Sequence, residues 1–578
     1  MKPIDQELTS WLLDHARGLW GAEIEESLFQ VRPTNKPEFG DYQCNAAMGL
    51  AKRLKTAPRV VAERLIADRE LHPALEKIEL AGPGFINLFL KRAWLLERVV
   101  ALLESPSVGL HPVEDPKTVV LDFSSPNVAK PMHIGHLRST NLGESLRRIL
   151  TTLGHKVYGD NHLGDWGTQF GLLILGYRNF LDRMAFEEDP VAELERVYVR
   201  SYEASRADDA YLDQARSELV RLQQGDPDNL RLWEEFVAVS MREFDRIYRR
   251  LDIHFDMVRG ESAYRGMLAD VVGLLKEKGI ARESEGATVV FFDDENLAPL
   301  IVQKKDGGFN YATTDLATIR YRVEELKADQ IVYVTDERQQ LHFRQIFAVA
   351  RMLGFDVPLE HVWFGLMRLP EGTFSTRQGN VIKLEKLLDE AEARALVMAK
   401  ASSDGEIGED ELCEIARVVG LGSVKYADLS QNRQTLVTFE WDRMLSLEGN
   451  TAPYLQYTYA RIRSIWRKHQ TGEGGADADW RKEAEQASVF EEKAELDLAK
   501  ALLQFSEVVE RAGRLFRPNV IADYLFELCQ FYNALYQNVM ILKASPEARA
   551  RRLLLCEAVS RTIKEGLRLM GIETVERM

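Results

Sequence analysis

The text between Lys117 and Asp160 limits the fold more than any other part of the chain. KTVVLDF (Lys117–Phe123) is a continuous apolar run, the kind of strand that is buried on both faces of a parallel sheet. The loop SSPNVAKPMHIGHLRST (Ser124–Thr140) leads into a helix, with Leu142, Leu146, Ile149 and Leu153 at helical spacing and Gly154 at the expected C-cap. HKVYGD (His155–Asp160) supplies a second strand. Strand, loop, helix and strand predict a βαβ unit and a parallel, nucleotide-binding-type sheet.

The mouth of that helix carries His133, Gly135 and His136. A helix start leaves backbone N–H groups unpaired beside the positive end of the dipole, which suits phosphate. Gly135 has no Cβ, so a nucleobase can lie on the backbone there. His133 and His136 are three apart and share one face of the first turn. Two imidazole donors there can hold phosphoryl oxygens as charge builds in a transition state. The plainer alternative is a surface or capping pair. Zinc fits poorly, because zinc helices use i, i+4 histidines and no third ligand lies nearby.

A chain of 578 residues is too long for one core, so three or more domains are expected. Residues 1–112 read as a mixed α/β unit ending in KIELAGPGFINLFLK, a strand pair joined at Gly82-Pro83-Gly84. Two prolines in HPVEDPK mark a linker. Acidic, helix-rich text at about 177–280 interrupts the α/β rhythm as an insertion. Strand signals return in ATVVFF, PLIVQKK, QIVYVT and HVWFGLM, with helical patterns at Thr314–Leu326 and Gln340–Leu353. From Leu384 onward the text predicts helices only, broken by TGEGGADADW.

Composition excludes several classes. No stretch approaches the roughly 20 apolar residues of a membrane span, and the start lacks a signal-peptide pattern. Four scattered cysteines form no CxxC pair, which speaks against zinc or a disulfide framework. A cytoplasmic, monomeric protein without a bound metal cage is expected. The 74 Lys+Arg against 90 Asp+Glu give a net charge of −16. That balance does not exclude nucleic acid, because phosphate contacts need only a local basic surface.

His133-Ile134-Gly135-His136 is identified as the HIGH signature of class I aminoacyl-tRNA synthetases. The longer loop, followed by NHLGDWGTQFG (Asn161–Gly171), resembles the arginyl-tRNA synthetases, and the resemblance runs from FGDYQCN to the final GIETVERM. No GxxxxGK[ST] loop exists, so ATP use rests on the HIGH loop. The resemblance implies a Rossmann-type parallel-sheet catalytic domain at 113–383 and a helical connecting region at 384–450. It also implies an all-α anticodon-binding domain at 451–578, and an N-terminal α/β domain that contacts the tRNA D-loop. The implied reaction joins arginine and ATP into arginyl-adenylate and moves arginine to the 3′-terminal adenosine of its tRNA, with Mg2+ accompanying ATP. Members of the family typically need tRNA for the first step.

The same resemblance assigns residues. His133, Gly135, His136 and Ser375 fall to ATP. Asp122, Ser124, Asn127, Tyr311, Asp315 and Gln339 form the arginine site, with Ser124 and Asn127 at the α-amino end and Tyr311 and Asp315 at the guanidinium. Such a fork of five donors requires carboxylates and neutral acceptors. The KMSKS motif departs here: Thr373-Phe374-Ser375-Thr376-Arg377 holds threonine at both lysine positions. Lys130, just before HIGH, is expected to replace the missing cation, with Arg377 as second choice. Tyr457 and Arg461 in YLQYTYARIRSIWRKH, with Tyr532, are the expected anticodon contacts. Phe85 and Asn87 are the expected contacts of the N-terminal domain. Three rivals keep parts of this pattern: a cysteinyl or glutamyl synthetase, a nucleotidyltransferase with an HxGH loop, and a non-catalytic RNA-binding relative.

Overall fold

The computed structural model describes residues 3–34, 36–67, 69–293, 297–369, 372–373, 383–402, 407–472 and 479–578. Its centre is a five-stranded, all-parallel sheet. The strands lie in the order Leu359–His361, Gln330–Tyr333, Thr118–Asp122, Lys156–Asn161, Met257–Val258. The chain leaves Thr118–Asp122 to one side and returns on the other, so strand order reverses between Asp122 and Tyr333. A crevice at the carboxyl ends of the strands opens at such a reversal. The Ile134–Thr152 helix crosses over the sheet, and Gly143 lets it approach closely: a Cβ there would stand 2.1 Å from Phe123.

Two strand signals lie elsewhere. Ala287–Val290 and Leu300–Gln303 join Ala281–Ser284 in a separate antiparallel sheet. The expectation of helices alone after Leu384 also needs correction. Val437–Thr438 pairs in parallel with Met367–Leu369, a two-residue strand too short to leave a period in the sequence.

The N-terminal domain holds a four-stranded antiparallel sheet in which Leu75–Ala81 and Phe85–Leu90 form the expected hairpin. It rests on the C-terminal helices: Gln6 donates to Glu510, and Arg561 to the Leu103 carbonyl. In the C-terminal domain the Pro546–Leu569 helix is buried along most of its length. Its Arg551 and Arg552 are not solvated but close on Glu495, at 3.0 and 2.7 Å.

The insertion is a bundle of the helices Arg183–Glu188, Pro190–Ala207, Asp209–Gln223 and Pro227–Arg250 against Gln169–Phe180. Its core contains Phe170, Leu194 and Phe236, but also Val128 and Ala129 of the loop before HIGH. Ser240 accepts the Ala129 N–H at 2.9 Å. The insertion therefore grips the loop at the crevice.

Candidate active site

Between strand and helix the chain is held in unusual backbone. Ser124, Ser125 and Ala129 have φ of 69°, 46° and 64°, in the left-handed region that non-glycine residues visit at a cost of about 1–3 kcal/mol each. The surroundings hold them there. The Ser124 N–H donates to Ser139 Oγ, the Ser125 N–H to Asn161 Oδ1, and the Val128 N–H to the Gly164 carbonyl. The result presents Asn127, exposed, and Lys130 to the crevice.

His133 is the N-cap of the following helix, and the two histidines form a capping box. The Gly135 N–H donates to His133 Nδ1 at 3.0 Å, and the His133 N–H donates to His136 Nδ1 at 3.1 Å. A nitrogen that accepts a hydrogen bond carries no proton, so each neutral ring carries its proton on Nε2. The rings lie 4.0 Å apart, a spacing that disfavours two cations. Burial, with the charges of Lys130 and Arg338, lowers the His133 pKa to about 4. Burial and His133 lower that of His136 to about 3. The helix mouth thus offers two neutral Nε2–H donors at physiological pH. Gly135 is required by this cap, because a Cβ there would stand 2.7 Å from the His133 ring.

Lys130 lies over the Tyr198 ring at 5.0 Å, on a helix of the insertion. A cleft of about 510 Å³ lies between Asn127, Lys130 and Tyr311 on one side and Tyr198, Tyr202 and Arg216 of the insertion on the other. Ser375 and Arg377 lie outside the described residues.

Asp315 and Tyr311 share the Tyr311–Glu324 helix, and Tyr311 is exposed. Gln339 stands exposed after the Gln330–Tyr333 strand. Asp122 and Ser124 are already engaged inside. Both Asp122 and Asp160 accept from the fully buried Arg322 at 2.6 Å. Ser124 Oγ lies 2.8 Å from Tyr248 Oη and 2.9 Å from Thr140 Oγ1.

Sequence reasoning missed Glu261. Burial, with Asp315 and Asp165 close by, pushes its carboxyl up to about 8. Asp165 accepts from Ser262 at 2.8 and 2.6 Å, and no lysine or arginine among the described residues ion-pairs with Glu261, Asp165 or Asp315. Three carboxylates thus lie near one another where no guanidinium or ammonium of the described residues pairs with them. The signal in the sequence was only an acid in RGESAY, with no periodicity to mark it. Among the described residues no group of three or more His, Cys, Asp or Glu side chains is arranged for a metal ion, so Mg2+ is assigned no protein ligand.

Two of the expected tRNA contacts are corrected by burial. Tyr532 has no exposed surface and belongs to the core, so it offers no face to a base. Asn87 is 2% exposed and accepts from Gln43 at 2.7 Å, because it sits inside the sheet beside Phe85, which is half-buried. Gln43, Phe39, Arg32 and Lys36 instead line an open cleft of about 300 Å³. In the C-terminal domain, Arg461 lies over Tyr457 at 4.7 Å and over the exposed Tyr536 at 5.2 Å, and donates to Asn533 at 3.2 Å. Tyr536, one helical turn after Tyr532, was missed. Arg463 is held by Glu576 at 3.1 Å, and Arg467 donates to the Glu576 carbonyl at 3.0 Å.

Comparisons with known proteins agree along the whole chain. The family model described as tRNA synthetases class I (R), catalytic domain, matches residues 99–441. The DALR anticodon binding domain matches 455–578, and the arginyl tRNA synthetase N terminal domain matches 4–90. The arginine–tRNA ligase of Fusobacterium nucleatum is 46% identical, with 100% of each chain covered. That of Hahella chejuensis is 42% identical over 95% of each. Among solved structures, the arginyl-tRNA synthetase of Plasmodium falciparum matches with a TM-score of 0.83 at 27% identity, covering 100% of both chains. That of Thermus thermophilus matches at 0.82 and 25%, covering 99% of this chain and 100% of its own.

Proposed function

The chain belongs to the arginyl-tRNA synthetases, and from that premise we propose how its residues divide the work. It is an arginine–tRNA ligase: arginine is activated with ATP and then attached to tRNA. In the first step an arginine carboxylate oxygen attacks the α-phosphorus of ATP, the bond to pyrophosphate breaks, and arginyl-adenylate forms. In the second step a hydroxyl of the 3′-terminal adenosine attacks the arginyl carbonyl and releases AMP.

His133 and His136 donate from Nε2 to phosphate oxygens, and because both rings are neutral they do so without giving up a proton. Lys130 supplies the cation for the departing pyrophosphate, with Ser375 and Arg377 of the second motif assisting. Catalysis of this kind is chiefly positioning and electrostatic stabilisation. The observation that carries the arginine assignment is that Glu261, Asp315 and Asp165 lie near one another and, among the described residues, no lysine or arginine pairs with them, Asp315 being held only by His342. Glu261 and Asp315, with Tyr311, receive the guanidinium, and Asn127 and Gln339 hold the α-amino end. Asp122 and Ser124 support the loop from inside. Buried acceptors left unpaired by a wrong ligand can reject it by about 10⁴–10⁵, which suffices against lysine without an editing domain.

For tRNA, Tyr457, Arg461 and Tyr536 form an anticodon-side platform for stacking and phosphate contact. Gln43 and Phe39 join Phe85 as the D-loop side. No helix among the described residues is long and apolar enough to cross a membrane. A monomer in the cytoplasm, with Mg2+ arriving on the ATP phosphates, completes the reading. ATP–pyrophosphate exchange with each amino acid, with and without tRNA, tests it. Exchange with arginine alone, in the presence of tRNA, is expected, and exchange with another amino acid overturns it.

A further inference from the structure

Asp315, one turn along the helix from Tyr311, is held by a second helix. Its Oδ2 lies 2.6 Å from Nε2 of His342, which belongs to a different helix, Gln340–Leu353. The imidazole is fixed from behind. It meets Phe343 edge-on at 5.6 Å, Phe343 lies 4.5 Å from the His361 ring, and His361 Nε2 is 2.8 Å from Thr335 Oγ1. Burial works against a charged imidazole here, but the hydrogen bond and charge of Asp315 outweigh it and raise the His342 pKa above its ordinary value. The Asp315–His342 contact is therefore charge-assisted, the stronger kind of hydrogen bond.

A guanidinium is read by a planar fork, so an acceptor carboxylate must be held within about 0.5 Å and 10–20° of the right orientation. The Asp315 side chain is 23% exposed and sits one turn into its helix, where no other hydrogen bond or ion pair among the described residues restrains its rotation. We propose that His342 is a positioning residue of the arginine site: it fixes one oxygen of Asp315 so that the other faces the guanidinium. The inference rests on the reading of Asp315 as a guanidinium acceptor. It assigns specificity for arginine to a residue that does not touch arginine.

The test is steady-state ATP–pyrophosphate exchange with tRNA present, on His342→Ala, His342→Gln and Asp315→Asn. A misplacement of about 1 Å costs on the order of 10²-fold, so His342→Ala should raise the KM for arginine by about 10- to 100-fold. KM for ATP and tRNA, and kcat, should stay within about twofold. The glutamine variant keeps a donor near the position of Nε2 and should recover most of the loss. In the double variant His342→Ala/Asp315→Asn, the arginine KM should be no worse than in Asp315→Asn alone, because the two residues act as one unit. An unchanged arginine KM in His342→Ala, while Asp315→Asn raises it, overturns the inference and leaves the guanidinium reading standing. An unchanged KM in Asp315→Asn overturns that reading itself. Losses shared equally among all three substrates, with a lower melting temperature and no rescue by glutamine, mark a merely structural tie between helices and also overturn the inference.

Discussion

The mouth of the Ile134–Thr152 helix and the aromatic face of the Ala452–Thr471 helix both carry short patterns, and the fold treats the two differently. At the first, His133, Gly135 and His136 stand as their spacing implies, because the capping bonds that place the histidines run between residues two and three apart. At the second, Arg461 keeps its expected place over Tyr457, but its other aromatic neighbour is Tyr536 rather than the expected Tyr532, while Arg463 and Arg467 are drawn to Glu576. Local hydrogen bonds are written into spacing. A partner more than a hundred residues away is not.

If the helix mouth works through neutral donors, the largest effect should come from removing one without disturbing the cap. Asn offers a side-chain oxygen near the position of Nδ1 but nothing near Nε2. His136→Asn should therefore lower arginine-dependent pyrophosphate exchange by about 10²–10³, the scale for one transition-state donor, while the melting temperature stays close to that of the parent. Lys130→Ala should cost a similar factor, and an unchanged rate would move the cation's role to Arg377.

Glu261→Gln should act on binding. We expect the KM for arginine to rise by about 10- to 100-fold with little change for ATP, the scale of an ionic hydrogen bond worth about 1.5–3 kcal/mol. An equal loss for both substrates would mean that Glu261 serves the fold.

On the tRNA side, loss of one stacking face is worth about 1–3 kcal/mol, so Tyr536→Ala should raise the tRNA KM by roughly 5- to 100-fold. Removing only the buried hydroxyl in Tyr532→Phe should leave that KM unchanged. The reverse order would restore Tyr532 as the contact and break the contrast between the two helices.

The smallest effect concerns pH. Both HIGH histidines have pKa values depressed below the ordinary 6.5, to about 4 and about 3. The unfolded chain therefore takes up protons that the folded chain refuses as pH falls below 6.5. Their contribution to stability is complete above that value and is lost progressively toward pH 3. Urea midpoints should be insensitive to these rings between pH 7 and 8 and should fall more steeply below pH 6 than in a His133→Asn/His136→Asn variant. A group with pKa near 6.5 in the folded protein, seen by NMR titration of either ring, would contradict the capping geometry.

Much of the fold was legible because periodicity is local. The βαβ unit, the Leu75–Ala81 and Phe85–Leu90 hairpin, the helical insertion and the C-terminal helices each follow from spacing within a single element. What stayed hidden depends on pairing across the chain. Val437–Thr438 is a strand only because Met367–Leu369 lies beside it, and Ala287–Val290 reads like a sheet strand but pairs in a separate sheet. The arginine site divides in the same way. Tyr311 and Asp315, an i, i+4 pair, come from the family resemblance. Glu261 and His342 reach Asp315 from other elements, and nothing in their neighbours marks them.

The sequence by itself determined the parallel sheet, the helix mouth with its two histidines and glycine, and the absence of lysine from the KMSKS positions. Backbone hydrogen bonding and side-chain spacing over a few residues suffice for the first two, and the family resemblance locates the third. The tertiary structure decided which polar groups are free. Arg322 takes up Asp122 and Asp160, Glu576 takes up Arg463 and Arg467, and Glu261, Asp165 and Asp315 lie near one another with no lysine or arginine among the described residues to pair with them. Burial makes an unpaired charge expensive, so the places where the fold leaves charge uncompensated mark where a ligand's charge belongs.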